Sequence, residues 1–167
     1  MKFLFTLVGA FFLSGCILQS PAPNFSEADG KPLFGKNGGT FLSYEFSDGK
    51  WNTDGKDIRI VAVGQHYELA DVTDVTKMVF IPLGGPWWFA QTTEASGKSA
   101  YGIVRVKGAE FYLFALACSK LKNNVAAIPF VDFEKDDCLL APNTEVQKLV
   151  NLVEDDSQHQ MKLVPKK

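Results

Sequence analysis

From Gly39 onward the chain is cut into short apolar runs by turn-forming residues, at intervals too short for ordinary helices. This cadence constrains the fold more than any other feature. Thr40 to Phe46 alternates loosely and stops at Ser47-Asp48-Gly49-Lys50, and Ile58 to Val63 is β-branched at most positions and closed by Gly64. Gln65 to Leu69 adds a further short run, followed by a turn or helical start at Asp71 to Asp74. Met78 to Leu83 has a buried-strand pattern, but Pro82 cannot donate to a ladder, which points to an edge or an end. Gly84-Gly85-Pro86 turns the chain into Trp87 to Thr92. Tyr101 to Val106 and Glu110 to Leu116 flank Lys107-Gly108-Ala109, the pattern of a hairpin. Ala126 to Phe133 reads as a strand or extended segment interrupted at Pro129, and Met161 to Val164 as a last strand.

A different period occurs once. Val146, Leu149, Val150 and Val153 recur at i, i+3, i+4 and i+7, with Asn143 placed to cap and Glu145 in the first turn, which predicts a helix over about 143–154. The fold class expected is therefore α+β and β-rich: an antiparallel, strongly twisted sheet or small open barrel with one C-terminal helix laid on it.

The N-terminus is of another kind. Met1-Lys2 is followed by an almost wholly apolar run from Phe3 to Leu13 and then by Ser14-Gly15-Cys16. An apolar stretch of roughly ten residues after a positive start has the form of an export signal and is too short to span about 30 Å of hydrocarbon. Leu13-Ser14-Gly15-Cys16 resembles the lipobox of bacterial lipoproteins, a resemblance that covers the signal alone. It implies acylation of Cys16 and cleavage before it, so that 1–15 is a signal peptide and the protein is held in the membrane by acyl chains on Cys16. Residues 16–38, rich in Pro, Gly, Ser, Asn and Asp, are expected as a flexible tether, with a single β-rich domain over 39–167. Ile17, where an Asp would resemble the retention signal of enteric inner-membrane lipoproteins, points to the outer membrane, facing the periplasm.

Export sets the chemistry of the cysteines. With Cys16 acylated, Cys118 and Cys138 remain as a pair in an oxidising compartment, and neither forms a Cys-x-x-Cys element. A disulfide between them is the reading. Removal of Lys2 with the signal leaves 16 basic and 19 acidic side chains, a net charge of about −3, a balance unsuited to nucleic acid or to electrostatic adsorption on anionic lipid.

Motifs of catalysis are not found. Neither His66 nor His159 lies near a nucleophile elbow, Asp71 with Asp74 and the group Asp132, Glu134, Asp136 and Asp137 read as solvated loop carboxylates, and there is no zinc spacing, calcium-loop frame, phosphate loop or dinucleotide fingerprint. No cofactor is expected. The candidate binding element is Trp87-Trp88-Phe89, in which Trp87 and Phe89 share one face of a strand and Trp88 takes the other. Ser96-Gly97-Lys98-Ser99-Ala100-Tyr101 resembles the Ser-Gly-x-x-Tyr loop of periplasmic lysozyme inhibitors, with the tyrosine one residue late and no later Tyr-x-x-x-Thr-Lys-Gly element. The sequence thus describes a lipid-anchored envelope protein with a non-catalytic binding or interaction domain, its partner an envelope protein, a polysaccharide or an apolar ligand. A lysozyme-inhibitor-like protein and an envelope hydrolase with an unrecognised site are the alternatives.

Overall fold

In the computed structural model, residues 17–53, 55–70, 77–124, 127, 129–134, 137–152 and 161–167 are described. Among them are β1 (Leu18–Ser20), β2 (Gly38–Ser47), β3 (Lys50–Asn52), β4 (Asp57–Val63), β5 (His66–Leu69) and β6 (Lys77–Gly84). The chain continues with β7 (Trp87–Thr93), β8 (Ser99–Lys107), β9 (Glu110–Ala115), β10 (Val131–Glu134), β11 (Asp137–Leu140) and β12 (Met161–Pro165). Hydrogen bonding passes from β8 through β7, β6, β5, β4, β2 and β12 to β9, and β9 pairs back to β8. The result is a closed antiparallel barrel of eight strands rather than an open one. Closure depends on β12, which lies between β2 and β9, pairing Leu163 with Ser43 on one side and Phe111 on the other. A sheet closed on itself has no edge to protect.

The tight turns at 64–65, 85–86 and 108–109 mark the lower end of the barrel, and the start of β8 and finish of β9 mark its upper end. Pro82 is accommodated because β5 is short. Among the described residues its one register pair with β6 is Tyr67 with Met78, so Pro82 lies beyond the end of β5, and Lys31 N–H instead bonds Phe80 O at 2.8 Å. Gly38 adopts φ 77°, and a Cβ there would lie 2.0 Å from Ile60 O. Only glycine allows β2 to begin so close to β4.

Two apolar cores result from strand alternation. Phe41, Ile60, Tyr67, Met78, Phe80, Ala90, Val104, Phe111, Met161 and Leu163 face the lumen together with Phe34. The intervening residues Val79, Ile81, Phe89, Tyr101, Ile103 and Phe114 face outward and are covered by a second layer. That layer is built from β1, which pairs with the first residues of β8, and from β11 and β10 beyond it. It also contains α1 (Cys118–Leu121), α2 (Val146–Leu149) and a 3₁₀ turn at Val150–Leu152.

Residues 17–38, expected as a flexible tether, are instead part of the domain as far as they are described. Leu18 is fully buried, and Ile17, Phe25 and Phe34 are buried as well. Gln91, on the outer face of β7, acts as a substitute strand edge: Asn24 and Phe25 N–H both donate to its Oε1 at 3.0 Å, and its Nε2 donates to Phe25 O at 2.8 Å. Four well-spaced apolar side chains and a satisfied backbone offset the ordering entropy that composition alone suggests is prohibitive.

The helical expectation also changes. There are two short helices among the described residues, and the chain's last element is not a helix but the barrel strand β12. Asn143 does not cap α2. It has φ 59°, Thr144 Oγ1 donates to Ala141 O at 2.7 Å, and Glu145 is the N-cap. The buried stripe is Leu149 and Leu152 with Val146 packed beside them, whereas Val150 is 42% exposed and Val153 lies outside the described residues. The switch from α to 3₁₀ winding after Leu149 moves the apolar face from position 150 to position 152.

Candidate functional site inside the barrel

The lumen is filled unequally. In its lower half Phe34 enters from the N-terminal segment and meets Phe41, Tyr67, Phe80 and Phe111 with ring centroids 5.2, 5.5, 5.1 and 4.7 Å away. Its backbone is fixed by Tyr67, whose hydroxyl accepts from Phe34 N–H at 3.2 Å and donates to Gly35 O at 2.7 Å. Burial pushes the Tyr67 phenol above its ordinary value of 10.0, against a smaller lowering by the Phe34 amide. Phe34 is therefore a fastened plug.

Above the plug the wall is lined by Ala90, Ala100 and Gly102 on adjacent strands, and these small side chains leave a cavity of about 90 Å³. That is room for roughly six to nine non-hydrogen atoms, at the ~10–15 Å³ taken by one water-sized sphere. Ile60, Leu69, Leu113 and Leu163 line the remaining wall, with Met78 and Met161 as the flexible members. Thr92, at the same level, directs its hydroxyl to Ala100 O at 3.3 Å within the wall. Among the described residues the lining contains no carboxylate, imidazole, amine or thiol. Tyr101 borders it, but its hydroxyl is on the outer side, 2.7 Å from Ser20 Oγ and accepting from Asn24 N–H at 3.3 Å. Burial raises that phenol above 10.0, with the Ser20 and Asn24 bonds acting in the opposite sense. Such a chamber can hold apolar matter and offers no group to move a proton.

Trp87 and Phe89 do share the outer face of β7, and Trp88 takes the lumen face. Phe89 is fully buried between Phe25 at 5.8 Å and Tyr101 at 5.4 Å. Trp87 is half-buried, edge-on to Phe114 at 6.3 Å and beneath the Arg105 guanidinium at 4.8 Å. Trp88 is half-buried near the lower end, where it packs against the inner core. The three are not gathered around one cleft. Tyr101 of the lysozyme-inhibitor-like loop is 1% exposed, and the turn before it is closed on itself through Gly97 N–H to Glu94 O at 2.9 Å.

Cys118 and Cys138 form a disulfide with Cα atoms 5.5 Å apart, fixing α1 to β11 inside the outer core. Cys16, Asp71, Asp74, Asp136 and His159 lie outside the described residues. His66 is buried beside two carboxylates: Nε2 is 2.9 Å from Glu68 Oε1, and Nδ1 is 3.0 Å from Glu27 Oε2, in ion-pair range although not aligned as a hydrogen bond. Lys77 bonds the same Glu27 at 2.9 Å and, with His66, holds its carboxyl below the usual range. Among the described residues no cluster of three His, Cys, Asp or Glu is arranged to hold a metal, and no helix is long and apolar enough to cross a membrane.

No family model, curated protein or solved structure matches the chain. The cavity residues were not singled out by the sequence. Their one readable signal is the coincidence of small residues at alternate positions, Ala90 in β7 with Ala100 and Gly102 in β8, and it acquires meaning only once the register Ala90 to Gly102 is known.

Proposed function

We propose that this is a lipid-anchored cell-envelope protein, acylated at Cys16, whose barrel is a non-catalytic module binding a small apolar ligand or the apolar end of an amphiphile. The observation that carries the reading is the apolar cavity above the Phe34 plug. Eight-stranded barrels are either filled by side chains or hold one small ligand, and here the filling stops halfway. Two methionines give the wall the adaptability of apolar sites that accept more than one shape. A ligand of six to nine heavy atoms would bury nearly all of its surface there, as ligands in concave apolar sites do.

The methionines also supply the assay. The chain has three, of which Met1 falls in the signal, so methyl-labelled mature protein reports on Met78 and Met161 alone. Benzene or hexane should shift both methyl resonances saturably, and Ala90→Leu, which fills the cavity, should weaken binding at least tenfold with the thermal midpoint held. Methyl resonances that stay in place up to solubility-limited ligand would overturn the binding role. Anchoring is tested separately, since Cys16→Ala should leave the protein unprocessed or soluble; retention in a detergent-requiring membrane fraction would refute acylation.

A further inference from the structure

We infer that the upper end of the barrel lies directly against the bilayer that anchors the protein, with the lipid headgroups as the partner of that surface. This rests on the acylation of Cys16 proposed above. Cys16 is joined by one peptide to Ile17, so their Cα atoms are separated by about 3.8 Å. Ile17 is already built into the fold. It bridges Ala117 and packs on Ala100 and Ala115, the second residue of β8 and the last of β9. Leu18 follows, fully buried, with its N–H on Leu116 O at 2.7 Å.

A leash extends at most ~3.3–3.6 Å for each residue it contains. Between an acylated Cys16 and the first packed residue there are none, so the acyl chains begin within one side-chain length of the barrel rim. The exposed surface beside this point carries charges of both signs: β11 runs parallel to β1 and brings the exposed Asp137 next to Ile17, with the exposed Glu134 opposite it on β10. α1 starts immediately after Ala117, buries Cys118 and Leu121, and presents Lys120 outward, with Lys122 following it. With both signs present, the short connection to Cys16 and not charge sets the apposition. Ala100 belongs both to the seat of Ile17 and to the cavity wall, so the half-empty part of the lumen is the part nearest the membrane.

The test uses the full acylated protein in vesicles carrying a nickel-chelating lipid, with a spin label at Ser96→Cys in the upper β7–β8 turn or at Ala109→Cys in the lower β8–β9 turn. Both positions are exposed. Nine residues of β8 at ~3.3 Å each, tilted by roughly 35–45°, separate the two levels by about 20 Å. Relaxation by the nickel lipid should be at least fivefold stronger at position 96 than at 109, and ten Gly/Ser residues inserted between Cys16 and Ile17 should abolish the difference. Equal relaxation at both positions without the insertion would overturn apposition while leaving the anchor intact. Protein that fails to sediment with the vesicles would overturn acylation, and apposition with it.

Discussion

Phe34→Ala is the perturbation whose consequence follows most directly from the barrel's construction. The ring is 7% exposed and surrounded by four aromatic neighbours on β2, β5, β6 and β9, which belong to a closed barrel and cannot collapse into the vacancy. Buried Phe→Ala changes destabilise by about 3–5 kcal/mol, and sites that cannot relax fall towards the upper part of that range. Aromatic pairs add roughly 0.5–1.5 kcal/mol each beyond burial, although part of this is already contained in the substitution value. A loss of about 4 kcal/mol is expected. With a urea m-value of about 2 kcal/mol/M for a domain of this size, the unfolding midpoint should fall by about 2 M with m unchanged. Because Phe34 also floors the cavity, benzene should recover part of the loss in Phe34→Ala and less in the parent protein. A midpoint lowered by less than about 0.5 M would refute the plug, because it would mean that the ring contributes no more than a surface side chain.

Gln91→Leu should destabilise the domain by about 3 kcal/mol, because it leaves the Phe25 amide and carbonyl unpaired and the Asn24 amide with only its longer bond to the Tyr101 hydroxyl; the same chemical-unfolding assay, with proteolysis to localise opening to residues 20–30, measures it. Replacing Cys118 and Cys138 together by Ser should lower stability by roughly 3 kcal/mol, as expected for releasing a loop of 20 residues, and an unchanged midpoint would mean that the unfolded chain was never restrained by the bridge. Tyr67 and Tyr101 have phenols raised above 10.0 by burial, so the stability they contribute is complete below pH 10 and lost as pH rises beyond it. A series of urea midpoints should be level from pH 8 to about 10 and decline above that, with a shallower decline in Tyr101→Phe; level stability through pH 11.5 would contradict the burial.

The extent to which the sequence announced this structure differs from element to element. Strands β2, β4 to β9 and β12 were legible because half-buried strands impose a period of two, and the Lys107-Gly108-Ala109 hairpin because a short Gly-bearing connection selects that geometry. The alternation also placed Trp87 and Phe89 opposite Trp88. By contrast β1, β3 and β11 carry no such signal, since each has three or four residues and owes its form to a partner rather than to its own pattern. The helix beginning near Val146 was recognisable, but its phase was not, because the buried face is selected by the outer core against which Leu149 and Leu152 pack.

The disulfide was available to arithmetic on the cysteines, and its partners are those the sequence named. The cavity was not available in that way. It exists because β12 closes the barrel between strands more than forty residues distant in the chain, because β7 and β8 bring Ala90, Ala100 and Gly102 to one level, and because Phe34 fills the lower half of the lumen but not the upper. A residue's own pattern determines which way its side chain points relative to its strand. What lies opposite it across the lumen is decided only by long-range register, and an unfilled volume is a property of all the facing residues together.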